Sequence, residues 1–173
     1  SDDVAIVDLM EQRFQGNRDQ EADRALREQL QQRIERRLQS QPDNLYYLVS
    51  LARLQLEGGD LLQASASYQR AVSQAPDDPD LLAMAKDLAL RTQDLGAAAM
   101  HLGRWVDVVE DEQLRLEGQL ELARLLSRLD RRDEAWAQLR EPLEADVDVG
   151  VLELALEVAP APRRVDLLDS LIE

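Results

Sequence analysis

Apolar residues recur at spacings of three and four along most of the chain, a pattern that keeps one face of a helix apolar. It predicts helices over 4–15, 20–40, 45–57, 61–75, 80–92, 96–110, 113–129, 133–145, 151–158 and 163–172. The second carries a stripe of Leu26, Leu30, Ile34 and Leu38, each four apart. No window alternates polar and apolar positions for long enough to argue a strand, so the expected fold class is all-α. Breaks fall at Asn17, Pro42, Gly58 and Gly59, Pro76 to Pro79, Asp94 to Gly96, Asp130, Gly150, Pro160 and Pro162. Connections of two to six residues force sequence neighbours to pack as antiparallel pairs. Ten helices joined in this way build a bundle or a solenoid, and an internal period separates the two.

Composition narrows the function classes. The 173 residues include 32 leucines and 21 alanines but no cysteine, which removes disulfides, thiol nucleophiles and cysteine-based metal sites. A net charge of -15 opposes phosphate backbones and anionic lipid, so no nucleic-acid partner is expected. No apolar run approaches the ~20 residues of a membrane span, so no direct membrane insertion is expected of this segment. Ser1, Asp2 and Asp3 supply neither a basic nor an apolar leader region, and do not read as a signal peptide.

Laid out at a period of 34, residues 45–78 read LYYLVSLARLQLEGGDLLQASASYQRAVSQAPDD. Small and large apolar residues stand at set places: Leu48, Leu51 and Ala52 on a first helix, Ala64, Tyr68 and Ala71 on a second, with Gly59 and Asp60 at the turn and Pro76 at the close. Gly58 and Gly59 can adopt positive φ and end the first helix, and Asp60 can cap the next. Pro76 stops the second helix, while Asp77 and Asp78 suit the N-terminus that follows. This stretch resembles a tetratricopeptide repeat (TPR). Gln55 departs from the family pattern, which prefers tyrosine or another large apolar residue there.

A second copy over 79–112 keeps Asp94, Ala98 and Leu102, but Trp105 stands where a small residue is expected, which calls for a looser helix pair or a shifted register. A third copy near 116–149 aligns Leu122, Ala123, Ala135 and Leu139. Ala64, Ala98 and Ala135 are spaced 34 and then 37, so three extra residues are expected around 109–115, in the connection. Leu30, Ile34, Leu38 and Pro42 look like the second half of an earlier unit. The resemblance implies a right-handed α-solenoid of three to four repeats plus terminal helices. The expected organisation is one domain over 1–173: N-terminal helices at 1–44, repeats at 45–78, 79–112 and 113–149, and a degenerate unit or cap at 150–173.

Candidate chemistry is sparse. His101 is the only histidine and lacks companion motifs, so it reads as an ordinary helix-surface or interhelix residue. The acids Asp77, Asp78, Glu110, Asp111 and Glu112 lie at caps or connections, without the alternating ligands and central glycine of a calcium loop. No phosphate loop, nucleophile elbow or zinc-protease pattern is present. The chain reads as non-enzymatic, with no cofactor and no metal. Arginine outnumbers lysine 19 to 1, and Arg33, Arg36 and Arg37 lie within helical reach of Glu28 and Glu35. Charge is lopsided: residues 1–105 carry 17 acids and 12 bases, while 106–173 carry 18 and 8. That acidic half reads as a solubility feature, with the steering of a basic partner as the alternative.

In TPR proteins the first helices of successive repeats line a concave groove that holds a peptide or helix of a partner. By register, the resemblance places Tyr46, Val49, Arg53, Leu56 and Glu57 there from the clear repeat. The second supplies Asp80, Ala83, Asp87, Leu90 and Arg91, and the third Glu117, Leu120, Arg124, Ser127 and Arg128. Such a mixed face suits an amphipathic helix or extended segment, with apolar anchors for affinity and charge pairs for register. Some family members grip a C-terminal carboxylate with lysine and asparagine, but Val49 and Arg53 occupy those places here.

The expected function is a protein–protein interaction scaffold in the assembly or maturation of a bacterial complex. Residues 31–59 also resemble repeat domains of bacterial envelope assembly factors of the cytochrome c maturation type, a likeness that favours periplasm or envelope over cytoplasm. Two alternatives stand beside it. Val4, Ile6, Val7, Leu9, Met10 and Phe14 make a nearly all-round apolar N-terminal helix that must bury itself or pair, as in a self-assembling module with homo-oligomerisation. The other is an accessory domain of a larger enzyme.

Overall fold

The computed structural model describes residues 20–144, 149–160 and 163–164. Among these the chain is all-helical: α1 Gln20–Ser40, α2 Leu45–Glu57, α3 Leu61–Gln74, α4 Pro79–Arg91, α5 Leu95–Val108, α6 Glu112–Arg128, α7 Arg132–Glu144 and α8 Val149–Val158. Every expected helix in the described range forms, within two residues of its expected bounds. The expected helix at 4–15 lies outside the described residues, as does nearly all of the one at 163–172. The helices group into two compact units, residues 1–76 and 77–173.

In the first unit α1 packs on α2 and α2 on α3. The stripe on α1 turns inward, with Leu30, Ile34 and Leu38 buried. Ala52 and Ala64 are fully covered, which lets α2 and α3 approach closely, and Tyr68 fills the space beside them. Arg70 donates to the Pro42 carbonyl at 2.7 Å and ties α3 back to the loop before α2. Gln55 is buried where an apolar residue was expected. Its Oε1 accepts from the Ser67 hydroxyl at 2.8 Å and its Nε2 donates to Gln63 Oε1 at 3.2 Å. A satisfied polar pair replaces the apolar contact.

In the second unit the pairs α4–α5 and α6–α7 pack antiparallel, α5 lies against α6, and α8 closes on α6 and α7. Leu102, Ala123, Ala135, Leu139, Ala155 and Val158 lie in its core.

The three turns inside the pairs α2–α3, α4–α5 and α6–α7 share one geometry. Each is three residues long, and its second residue is left-handed: Gly59 at φ 82°, Gln93 at 61° and Asp130 at 59°. Asp60 N–H donates to Gln55 O, Asp94 N–H to Ala89 O, and Arg131 N–H to Leu126 O, all at 2.9 Å. These bonds satisfy carbonyls left open at a helix C-terminus. Gly58 was expected to share the positive φ but remains helical at -73°, because one left-handed residue suffices to reverse the chain. Asp60, Asp78, Asp94 and Asp111 then cap the helices that follow them.

The three-residue insertion is not in the connection. Only residues 109–111 separate α5 from α6, whereas α6 runs 17 residues against 13 for α2 and for α4. The insertion is close to one helical turn of ~3.6 residues, so the apolar face of α6 keeps its phase.

Trp105 needs no looser pair. It occupies the repeat position of Ala71, and Gly118 on α6 makes the room. A Cβ on Gly118 would lie 2.7 Å from Trp105 Cζ3. Gly118 itself stands at the repeat position of Tyr47 and Leu81, both buried large residues. The large and small partners have changed places.

Candidate functional site

The expected groove residues lie on the first helix of each pair, none of them in the buried class. On α2, Arg53 and Glu57 are exposed, Tyr46 is 36% exposed, and Val49 and Leu56 are half-buried. Tyr46 meets Tyr47 edge to face, ring centroids 5.7 Å apart. Arg53 sits beside the Tyr68 phenol. Burial pushes that phenol above its usual 10.0, and Arg53 draws it partly back.

In the second unit α4 presents Asp80, Asp87 and Arg91 exposed, with Ala83 and Leu90 half-buried. On α6, Glu117, Arg124 and Arg128 are exposed while Leu120 and Ser127 are half-buried. Leu90 and Leu120 rest at the edge of the core, so their inner atoms are anchored and their outer atoms remain available.

One bridge joins these two helices. Lys86 Nζ lies 3.2 Å from Glu121 Oε1 and donates to both carboxylate oxygens, and it also pairs with Asp87 Oδ1 at 3.2 Å. Burial would lower the Lys86 pKa, but hydrogen bonds and charge from Glu121 and Asp87 outweigh it and hold the ammonium above its ordinary 10.5. Neither Lys86 nor Glu121 was singled out from sequence. A signal existed: the only lysine stands at the repeat position of Ala52 and Ala123, both fully buried. Its stem follows the helix pair while its head reaches the next first helix.

His101 on α5 is 3% exposed and its Nδ1 has no partner among the described residues. Burial lowers its pKa, nearby Arg104 lowers it further, and Asp94 opposes both. Among the described residues no group of three or more histidine or acidic side chains is placed to hold a metal ion, and no helix is long and apolar enough to cross a membrane. The second helices carry a separate cleft of about 540 Å³, between α5 and α7, floored by Leu122 and Leu126 and rimmed by Met100 and the Arg131–Glu134 pair.

Two crystal structures of MamA share this fold. One has 12% sequence identity and a TM-score of 0.53, covering 88% of each chain. The other has 13% identity and a TM-score of 0.53, covering 92% of this chain and 87% of that one. The fold is an all-helical repeat of TPR-like type. At such identity the likeness is one of fold alone. No protein-family model and no curated protein matches the chain.

Proposed function

We propose that the protein is a non-catalytic binding scaffold that holds a peptide or helical segment of a partner protein against its first-helix faces. The observation that carries this is the face of α4 and α6, bridged by Lys86 and Glu121. There Leu90 and Leu120 sit half-buried among exposed Arg91, Arg124 and Arg128. Apolar anchors fixed by the core, with charges beside them, give affinity and register together. The α2 face, with Tyr46, Val49, Leu56, Arg53 and Glu57, offers a similar mixture in the first unit. A role in assembling or maturing a bacterial complex, in the envelope, rests on the sequence resemblance alone.

The test is to substitute Leu90→Ser and Leu120→Ser and measure binding of the partner captured with the wild-type chain. Loss of two half-buried leucines should weaken binding about tenfold or more. Met100→Ser, on α5, should leave affinity unchanged. Equal affinity in all variants would defeat the first-helix assignment.

A further inference from the structure

Lys86 engages two carboxylates, and each stands one helical turn before an arginine. Asp87 precedes Arg91 by four residues and Glu121 precedes Arg124 by three, the spacings at which helical ion pairs form. The acids of the adjoining turns are also engaged. Asp94 accepts from the Ala97 N–H as the cap of α5, and Asp130 pairs with Arg132 at 3.5 Å. The acids nearest in sequence to Arg91, Arg124 and Arg128 are therefore held elsewhere. Among the described residues these three exposed arginines make no ion pair or hydrogen bond.

The same bridge fixes their register. α4 and α6 are the first helices of successive antiparallel pairs and so run in one direction. At ~1.5 Å rise per residue, Arg91 lies about 7.5 Å beyond Lys86, while Arg124 and Arg128 lie about 4.5 and 10.5 Å beyond Glu121. Arg91 is thus level with the interval between the other two. The helix dipole favours cations in a last turn, which accounts for Arg91 and Arg128 but not for Arg124, nor for the half-buried leucines beside them.

We propose that this cluster receives an acidic amphipathic segment of a partner protein, its carboxylates on Arg91, Arg124 and Arg128 and its apolar side chains on Leu90 and Leu120. The inference rests on the groove reading above and gives it a partner chemistry, opposite in sign to the basic partner that net charge alone suggested. Unpaired guanidinium groups match carboxylates in shape as well as charge, and such bonds are about twice as strong as neutral ones. Lys86 touches no ligand. It is a positioning residue that keeps Asp87 and Glu121 from quenching Arg91 and Arg124.

The experiment uses the full chain and a labelled peptide alternating glutamate with leucine, beside versions carrying glutamine or lysine for glutamate, read by fluorescence anisotropy at low salt. The glutamate peptide should bind about tenfold tighter than the glutamine peptide, with the lysine peptide weakest, although the chain's net charge of -15 opposes it at long range. Arg124→Gln with Arg128→Gln should remove that preference, and Lys86→Met should reduce it while helicity is retained. Equal binding of the three peptides, or arginine variants that leave the preference intact, overturns the proposal. If Leu120→Ser weakens all three peptides alike and the arginine variants change nothing, the groove stands and the acidic partner falls. If neither kind of variant changes the affinity of any peptide, both fall.

Discussion

Gly118 on α6 leaves the room that Trp105 on α5 fills: a Cβ there would lie 2.7 Å from Trp105 Cζ3 and 2.9 Å from Val106 Cγ2. Overpacking of this kind costs about 1–3 kcal/mol, and the better helix propensity of alanine returns about 1. Gly118→Ala should therefore destabilise the protein by up to about 2 kcal/mol in chemical denaturation. In a Trp105→Leu background the same change should cost less, since the ring is gone and only the Val106 contact remains. Additive effects of the two substitutions would contradict direct packing between them.

Gln93 holds the left-handed turn position that glycine holds at Gly59 and aspartate at Asp130. A side chain there carries a steric cost of about 1 kcal/mol that glycine avoids. Gln93→Gly should raise stability by up to about 1 kcal/mol, and Gln93→Val should lower it by more. Thermal melting of the two variants checks the sign.

The Gln55–Ser67 pair is buried, and losing one member leaves the other unsatisfied. Ser67→Ala should cost about 1–3 kcal/mol. Gln55→Leu combined with Ser67→Ala should recover much of it, because leucine restores the apolar contact usual at this repeat position. Denaturation midpoints of the single and double variants would show a double variant no more stable than Ser67→Ala if this is wrong.

Stability should depend on pH through His101, whose folded pKa lies below its ordinary 6.5. Above about 6.5 the ring is neutral in both states, and the contribution is fully present. As pH falls from there the unfolded chain takes up the proton first, and stability declines until the folded pKa is passed. His101→Leu should flatten that decline relative to wild type between pH 7 and 5, read from denaturation midpoints. An unchanged slope would show that carboxylates alone set the acid limb.

The helices were legible in the sequence because the signals were local. Asp60, Asp78, Asp94 and Asp111 each precede an apolar period and cap it, and Gly59 marks its turn without a partner elsewhere in the chain. What could not be read depends on residues far apart in sequence. Trp105 looks awkward until Gly118 faces it, and the insertion looks like a longer connection until α6 takes it up as a helical turn. The candidate face was half legible. Helical period puts Arg53, Arg91, Arg124 and Arg128 on the outer side of first helices, but not which of them is engaged. Arg53 lies against Tyr68, whereas Arg91 and Arg124 are left open by a lysine that the repeat pattern would make alanine, and Arg128 by the pairing of Asp130 with Arg132.

First helices, not second helices, should hold the partner segment. Backbone amide shifts of the isotope-labelled chain, followed by NMR as the glutamate–leucine peptide is added, test it most directly. Perturbations are expected to concentrate on α4 and α6 around Leu90, Arg91, Leu120, Arg124 and Arg128, with α5 and α7 little changed. Perturbations centred instead on the α5–α7 cleft around Met100, Arg131 and Glu134 would rule out the first-helix site.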